Sequence, residues 1–304
     1  MKNIQQFEVA IIGGASAGLS AALILGRSAR KTVVFDTGEP RNRPAAHAHN
    51  VFTRDGVSPM EILATAKEQL KPYPSVVTVQ ERVLTAAKEE GVFRLETAAG
   101  VYTARKVILA TGVKDILPEI KGIQELWGNK VIHCPYCHGW EVRNTPVGFI
   151  ANDEIATHQI PLLYNLNKDL TIFTNGKSAF SEEQHEKFRN RGIGFIETPV
   201  TAIEDVADGI NIVLADGSVH HKYATYVRPV RLQFHNELAI QLGCELDESG
   251  AIKVDELQQT TIPGVLAIGD VAHPMMHQVM VAAAGGLRAG GLCNAQISAE
   301  DFEK

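Results

Sequence analysis

At 304 residues the chain is long enough for two domains with cores of their own. Apolar residues at 45% and charged residues at 21% describe an ordinary soluble globular protein, and a net charge of −6 with no basic run argues against nucleic acid as a partner. No apolar stretch approaches transmembrane length, and Met1 to Glu8 lack the charged-then-apolar form of a signal peptide, so a cytoplasmic location with no membrane partner is expected. In that reducing setting a Cys-x-x-Cys pair reads as catalytic or metal-binding rather than structural.

Glu8-Val9-Ala10-Ile11-Ile12 is a short buried-strand run leading into Gly13-Gly14-Ala15-Ser16-Ala17-Gly18. Leu19 to Arg27 carries helix-favouring Ala and Leu, and Thr32-Val33-Val34-Phe35 is a second strand ending in Asp36. This is the order of a dinucleotide-binding βαβ unit. Gly13 permits the tight turn, Gly18 lets helix and strand pack closely, and the helix N-terminus faces a pyrophosphate. Asp36, 23 positions after Gly13, is placed to grip a ribose hydroxyl. Ala15 occupies the middle glycine position, where its methyl crowds the pyrophosphate but is tolerable.

Arg41-Asn42-Arg43-Pro44 and the segment from His47 to Gly56 form a long polar excursion, after which Pro59 to Leu70 reads as an amphipathic helix. Strands are expected at Val76–Val79, Arg82–Leu84, Phe93–Leu95 and Val101–Thr103. Another, Lys106 to Leu109, ends on Ala110-Thr111-Gly112, small residues that let backbone approach a ligand.

His133-Cys134-Pro135-Tyr136-Cys137-His138 carries the chemistry. Two cysteines at this spacing can close a disulfide, and a helix N-terminus or a neighbouring imidazolium can lower one thiol's pKa. Pro135 suits a first helical position. Cys134 and Cys137 then lie in the first turn of a helix, one exposed and one tucked inward, with His138 placed to shuttle the proton of exchange. Zinc is disfavoured, because four ligands within six residues cannot surround one tetrahedral ion and Cys244 and Cys293 stand alone. Two inert core thiols, or a glutaredoxin module, are the other readings. A glutaredoxin carries this motif near its own N-terminus, whereas here more than a hundred patterned residues precede it.

The plan of the first half then repeats. Val147–Ile150 is a strand, Glu154–Asn165 a helix and Leu170–Phe173 a strand. Ser181 opens a further helix with a capping-box pattern, closed by Gly192. Strands over Thr201–Val206, Ile210–Leu214 and Tyr223–Val227 follow, the hairpin falling at Ala215-Asp216-Gly217. The second copy's first turn, Ala151-Asn152-Asp153-Glu154-Ile155-Ala156, contains no glycine, and its second strand ends in Thr174-Asn175-Gly176. From Arg231 the chain is again Ala/Gly-rich. A buried strand ends at Gly269-Asp270, and Gln278 to Cys293 forms a helix of small residues; an acid at such a strand end is expected to face a ligand.

Together, Gly13 to Gly18 with Asp36, Ala110-Thr111-Gly112, Cys134 to Cys137, Thr261 to Asp270 and Gln278-Val279 resemble the thioredoxin reductase family of flavoproteins over nearly the whole chain. The resemblance implies an α/β fold of two Rossmann-like, doubly wound, three-layer nucleotide-binding domains, the second inserted in the first. It implies an FAD-binding domain over 1–116 plus 231–304, a degenerate NAD(P)H-binding-like domain over 117–230 carrying the redox pair, and a homodimer. It places Gly13, Ala15, Ser16, Ala17, Gly18 and Asp36 at the adenosine diphosphate half of FAD. Asn50, the backbone at Val83, and Ala110, Thr111 and Gly112 line the same cofactor. Gly269 and Asp270 meet the ribityl chain, and Gln278 and Val279 lie under the flavin. Cys137 faces the flavin and Cys134 is the interchange thiol.

Two departures set this chain apart: His138 replaces the family's usual Asp, and the inserted domain lacks the glycine turn and arginine pair for NADPH. Those features are similar to dithiol oxidases and to pyridine-nucleotide-independent thioredoxin reductases. The expected function is two-electron exchange among a dithiol or disulfide substrate, the Cys134–Cys137 pair and FAD, without NAD(P)H. Expected partners are a thioredoxin-like protein or small dithiol, with ferredoxin, another flavin carrier or O2 on the other side. The alternatives are an NADPH-dependent thioredoxin reductase with an atypical nucleotide site, and a redox-sensing flavoprotein without turnover.

Overall fold

The apolar run Val9 to Ile12 makes the end of β1 (Ile4–Ile12) a strand buried on both faces. After it come α1 (Ser16–Arg27), β2 (Thr32–Phe35), α2 (Pro59–Leu70) and β3 (Val76–Val79). Next are β4 (Val83–Glu89), β5 (Val92–Thr97), β6 (Val101–Leu109) and β7 (Val113–Ile116). The middle of the chain supplies α3 (Ile123–Leu126), β8 (Val131–Ile132), α4 (Pro135–His138), β9 (Val147–Ile150), α5 (Glu154–Leu166) and β10 (Leu170–Phe173). It continues through α6 (Glu182–Arg189), β11 (Gly194–Ile196), β12 (Val200–Val206), β13 (Gly209–Leu214), β14 (Val219–Lys222) and β15 (Ala224–Val227). The last elements are β16 (Arg231–Phe234), α7 (Glu237–Gln241), β17 (Val265–Ala267) and α8 (Val279–Phe302), with a 3-10 turn at Gly269–Ala272.

This computed structural model describes residues 4–304 and separates into two units. One holds the chain up to Arg43, Asn50–Lys114 and the chain from Gln233 onward; the other holds Pro44–His49 and Asp115–Leu232. The first unit is built on a seven-stranded sheet of order β3-β2-β1-β6-β5-β4, with β17 also paired to β6. Pairing is parallel among β3, β2, β1, β6 and β17, and antiparallel from β6 through β5 to β4. The second unit has a five-stranded parallel sheet, β11-β10-β9-β15-β8, and a three-stranded antiparallel one, β12-β13-β14. Each parallel sheet is covered by apolar side chains on both faces, which is what crossover helices require. Both units are thus α/β nucleotide-binding-type folds.

Several elements differ from the sequence expectation. The strands expected at Val101–Thr103 and Lys106–Leu109 are one strand, because β1 pairs with β6 along its whole length while β5 and β17 take its first and last parts on the other side. Strand β14 was not foreseen; His220-His221-Lys222 has no apolar alternation, yet it pairs antiparallel with β13. Helix α8 runs on past Cys293 to Phe302, since Asn294 to Asp301 contains neither Gly nor Pro to stop it. The capping box of α6 is present, Ser181 Oγ accepting from the Gln184 amide at 3.2 Å and Gln184 Oε1 from the Ser181 amide at 2.7 Å. Small residues let α8 lie directly on α1. A Cβ at Gly286 would overlap the Ala17 carbonyl oxygen, and Ser20 Oγ donates to the Ala283 carbonyl at 2.7 Å. Among the described residues no helix is long and apolar enough to cross a membrane.

Candidate active site and cofactor cradle

Strand register brings most of the first unit's candidate residues to one level. Ile12 of β1 is in register with Phe35 of β2 and Leu109 of β6, and Leu109 with Ala267 of β17. The residues that follow are Gly13, Asp36 and Ala110, with Gly269 and Asp270 just beyond Ala267. All therefore lie at the carboxyl edge of parallel strands, where open α/β sheets bind ligands. Gly13 has a φ of +116°, and a Cβ there would overlap the Ala110 carbonyl oxygen; a Cβ on Gly18 would overlap that of Gly13. Only glycine fits either place. Ala15 is the N-cap of α1 and offers no side-chain cap, so the amides that open the helix with Ser16 and Ala17 are left for a ligand. The Ala17 methyl lies 3.0 Å from where a Gly269 Cβ would stand. No atom lies within 4 Å of a Cβ built on Gly112, whose φ is +71°. This bare, amide-lined turn with open space beside it fits a dinucleotide pyrophosphate.

The acids of this edge have partners that sequence reasoning did not supply. Asp36 accepts from the Gly38 amide at 3.0 Å and pairs with Lys67 Nζ at 2.8 Å. Asp270 Oδ2 pairs with Arg41 Nη1 at 3.0 Å, and Arg41 also donates to Nδ1 of His277 at 2.6 Å. Asn50 takes a φ of +60°, its amide donating to Asp55 Oδ1 at 2.6 Å. Thr111 Oγ1 donates to the His235 carbonyl at 2.5 Å. Gln278 is the N-cap of α8 and Val279 its first residue. Val83 opens β4 with its side chain in the core cluster that holds Phe35 and Phe93. The Arg41-Asn42-Arg43 run is visible in sequence as a source of cations; nothing there marks Lys67.

In the second unit Cys134 is the N-cap of the single-turn helix α4 and Pro135 its first residue. Cys134 and Cys137 form a disulfide with Cα atoms 5.2 Å apart, and the Cys137 amide donates to Cys134 Sγ at 3.2 Å. Both cysteines are half-buried in the disulfide. One turn of helix supplies little dipole. His138 ends α4 with both ring nitrogens buried and without a hydrogen-bond partner. Burial holds its pKa below the usual imidazole range, against the pull of Glu141 and with the push of His49. Its ring is therefore neutral and uncommitted at neutral pH, which suits a proton acceptor. Exposed Tyr136 and Trp140 flank the pair, the Arg143 guanidinium lying 3.6 Å over the Trp140 ring. His133 stacks on Trp127 at 5.3 Å. Among the described residues no group of three His, Cys, Asp or Glu side chains could hold a metal.

The second unit has the same edge with different contents. Ile150 of β9 is in register with Phe173 of β10 and Val227 of β15, so Ala151, Thr174 and Arg228 come next. Asp153 caps α5, accepting from the Ala156 amide at 2.7 Å, and its other oxygen accepts from Arg228 Nε at 2.9 Å. The side chain of Asn152 donates to the Lys177 carbonyl at 2.8 Å and accepts from the Ala179 amide at 2.7 Å, tying the following loop across the turn. A carboxylate of the chain itself thus caps the start of this helix.

Two nucleotide-binding folds, one with an open amide-lined turn and one carrying a Cys-x-x-Cys disulfide, define a flavin-type disulfide oxidoreductase. The comparisons agree. A family model described as pyridine nucleotide-disulphide oxidoreductase matches residues 7–286, and the chain belongs to that family. A thioredoxin reductase of Leptosphaeria maculans is 34% identical, over 97% of this chain and 96% of that protein. An oxidoreductase from Agrobacterium tumefaciens superposes with a TM-score of 0.90 at 39% identity, covering 96% of this chain and 99% of that one. A putative thioredoxin reductase from Bacillus anthracis does so with a TM-score of 0.92 at 30% identity, covering 97% and 100%. The chain is a thioredoxin reductase-like enzyme of the FAD-dependent class.

Proposed function

We propose that the enzyme exchanges two electrons between a dithiol or disulfide substrate and its Cys134–Cys137 pair, without NAD(P)H. The observation that carries this is the pairing of a formed disulfide with a neutral, unpartnered imidazole on the residue that follows Cys137 in the same turn, in a family of disulfide oxidoreductases. FAD, when bound, supplies the two-electron donor or acceptor that lets the pair cycle. The discontinuous domain 1–116 plus 231–304 would hold it, through Gly13, Gly18 and Asp36 at the adenosine end, Thr111 and Gly112, Asp270, and Gln278 with Val279. The inserted domain, 117–230, would carry the exchange. Cys134 takes the substrate sulfur, Cys137 leaves as the thiolate, and His138 holds the proton.

Exclusion of NAD(P)H rests on the second turn. Asp153 neutralises the helix amides and engages Arg228, and Asn152 closes the neighbouring loop, so an added pyrophosphate would meet like charge and filled space. Exposed Tyr136 and Trp140 offer an aromatic platform beside the pair. A thioredoxin-like protein, as the relatives' name thioredoxin reductase suggests, or a small dithiol would use it. Ferredoxin, another flavin carrier or O2 is the electron partner in this reading, with a homodimer working in the cytoplasm. Anaerobic stopped-flow mixing with NADPH, a dithiol and reduced ferredoxin in parallel tests it. The flavin should stay oxidised with NADPH and bleach with one of the others; bleaching by NADPH within turnover time would overturn the exclusion.

A further inference from the structure

The turn beside the disulfide holds more ionisable groups than the two sulfurs and His138. Glu141, three residues after His138, lies 3.3 Å through Oε1 from Nε2 of His49. His49 comes from the segment Pro44–His49, which is part of the second unit although the chain on either side of it is not. The His47 ring stands 6.3 Å from that of His49. On β15 the Tyr226 hydroxyl is buried without a hydrogen-bond partner, and burial with the nearby Glu141 carboxylate keeps it protonated. Beyond its burial, which is the larger cause, His138 is pulled toward the protonated form by Glu141 and pushed away from it by His49. A carboxylate favours the imidazolium and a second imidazolium disfavours it. With no hydrogen bond to it among the described residues, His138 takes its readiness to accept a proton from its burial and from this field.

We propose that Glu141 and His49 are a positioning pair that sets the pH at which His138 takes the proton released in thiol–disulfide exchange. This rests on the reading of His138 given above. In the step concerned, a substrate thiol gives its proton to His138 and its sulfur bonds to Cys134 Sγ. The Cys134–Cys137 bond breaks, and Cys137 leaves with the electron pair as thiolate. The second substrate thiol then attacks the substrate sulfur of the mixed disulfide, its proton going to the departing Cys134. The dithiol is oxidised to a disulfide and the cysteine pair is reduced by two electrons.

The test uses the full chain as purified, held anaerobically, with dithiothreitol as the probe. Samples are acid-quenched, alkylated, and the Cys134–Cys137 peptide is weighed, giving the exchange rate from pH 5 to 9. The rate should rise through the titration of His138, and His138→Ala should abolish that limb. Glu141→Gln keeps a hydrogen-bonding group but removes the anion; it should move the limb to lower pH by roughly half to one unit, while His49→Asn should move it to higher pH. Glu141→Asp should restore most of the wild-type position. Ring-proton NMR titration of His138 should show the same opposite displacements, independent of turnover and of flavin content. If the limb survives in His138→Ala, the underlying reading fails and this proposal with it. If His138→Ala removes the limb but the two variants leave it in place, or move it the same way in both measurements, only the positioning role is overturned.

Discussion

Two turns in this chain, Gly13–Gly18 after β1 and Ala151–Ala156 after β9, share a place in their folds and differ in what fills it. Both follow a buried parallel strand and open a helix of similar length, 12 residues in α1 and 13 in α5. The first is bare: glycines admit carbonyl oxygens where a Cβ would go, and the helix has no side-chain cap. In the second, Asp153 caps the helix by accepting from the Ala156 amide and also holds Arg228. The same fold thus presents its helix amides in two different ways. What decides is whether the amides at the helix start are left over.

Adding a side chain to the bare turn is the harshest way to break the comparison. Gly18→Val would force the turn apart, and the purified variant should be colourless, with flavin absorbance per chain lost; a yellow variant would show that the turn does not hold the cofactor. Asp36→Ala leaves the turn but removes the acid at the end of β2. A hydrogen bond from a ribose to a charged group is worth about 1.5–3 kcal/mol, so flavin should dissociate about ten- to a hundredfold more readily in equilibrium dialysis. Lys67, which loses its partner as well, should add to that loss only weakly, being partly exposed.

The filled turn should respond more mildly. Asp153→Ala deletes an N-cap, which costs about 1 kcal/mol of the second unit's stability and should leave flavin content unchanged. The chain's two tryptophans, Trp127 and Trp140, both lie in that unit, so their fluorescence during urea unfolding reads the loss directly. The thiols sharpen the contrast with the smallest effect, namely none. Cys293 and Cys244 are buried in the first unit, where desolvation pushes Cys293 up to about 12 and also raises Cys244. Iodoacetamide at pH 8 should modify only Cys134 and Cys137 after reduction, and label on either of the others would contradict the packing.

What sequence could and could not show follows from distance along the chain. The β1–α1–β2 unit, the capping box at Ser181 and the disulfide pair are local patterns, and all three are present as read. Strand β6 looks like two strands in sequence because Ala104-Arg105 interrupts its apolar pattern, and it is the pairing with distant β1 along its whole length that makes it one. The glycine-free second turn is legible, but Asp153's partner Arg228 is 75 residues away, and no local pattern connects them. Arg41 with Asp270 spans 229 residues and His49 with Glu141 crosses most of the first unit's sheet region in sequence. Side chains that are paired by topology rather than by period leave no trace in a window of ten.

The seat of α8 on α1 also bears on how the polypeptide is made. Ser20 reaches Ala283 across 263 residues, and β6 waits for β17 to cover its second half. A ribosome therefore releases the first hundred residues long before their covering helix exists, whereas the strands and helices of 115–232 emerge consecutively and meet neighbours already made. Domains fold as units during synthesis and distant pairings come late. The inserted unit should become protease-resistant on the nascent chain first, with residues 4–43 remaining cleavable until α8 has emerged; simultaneous protection of both would contradict this order.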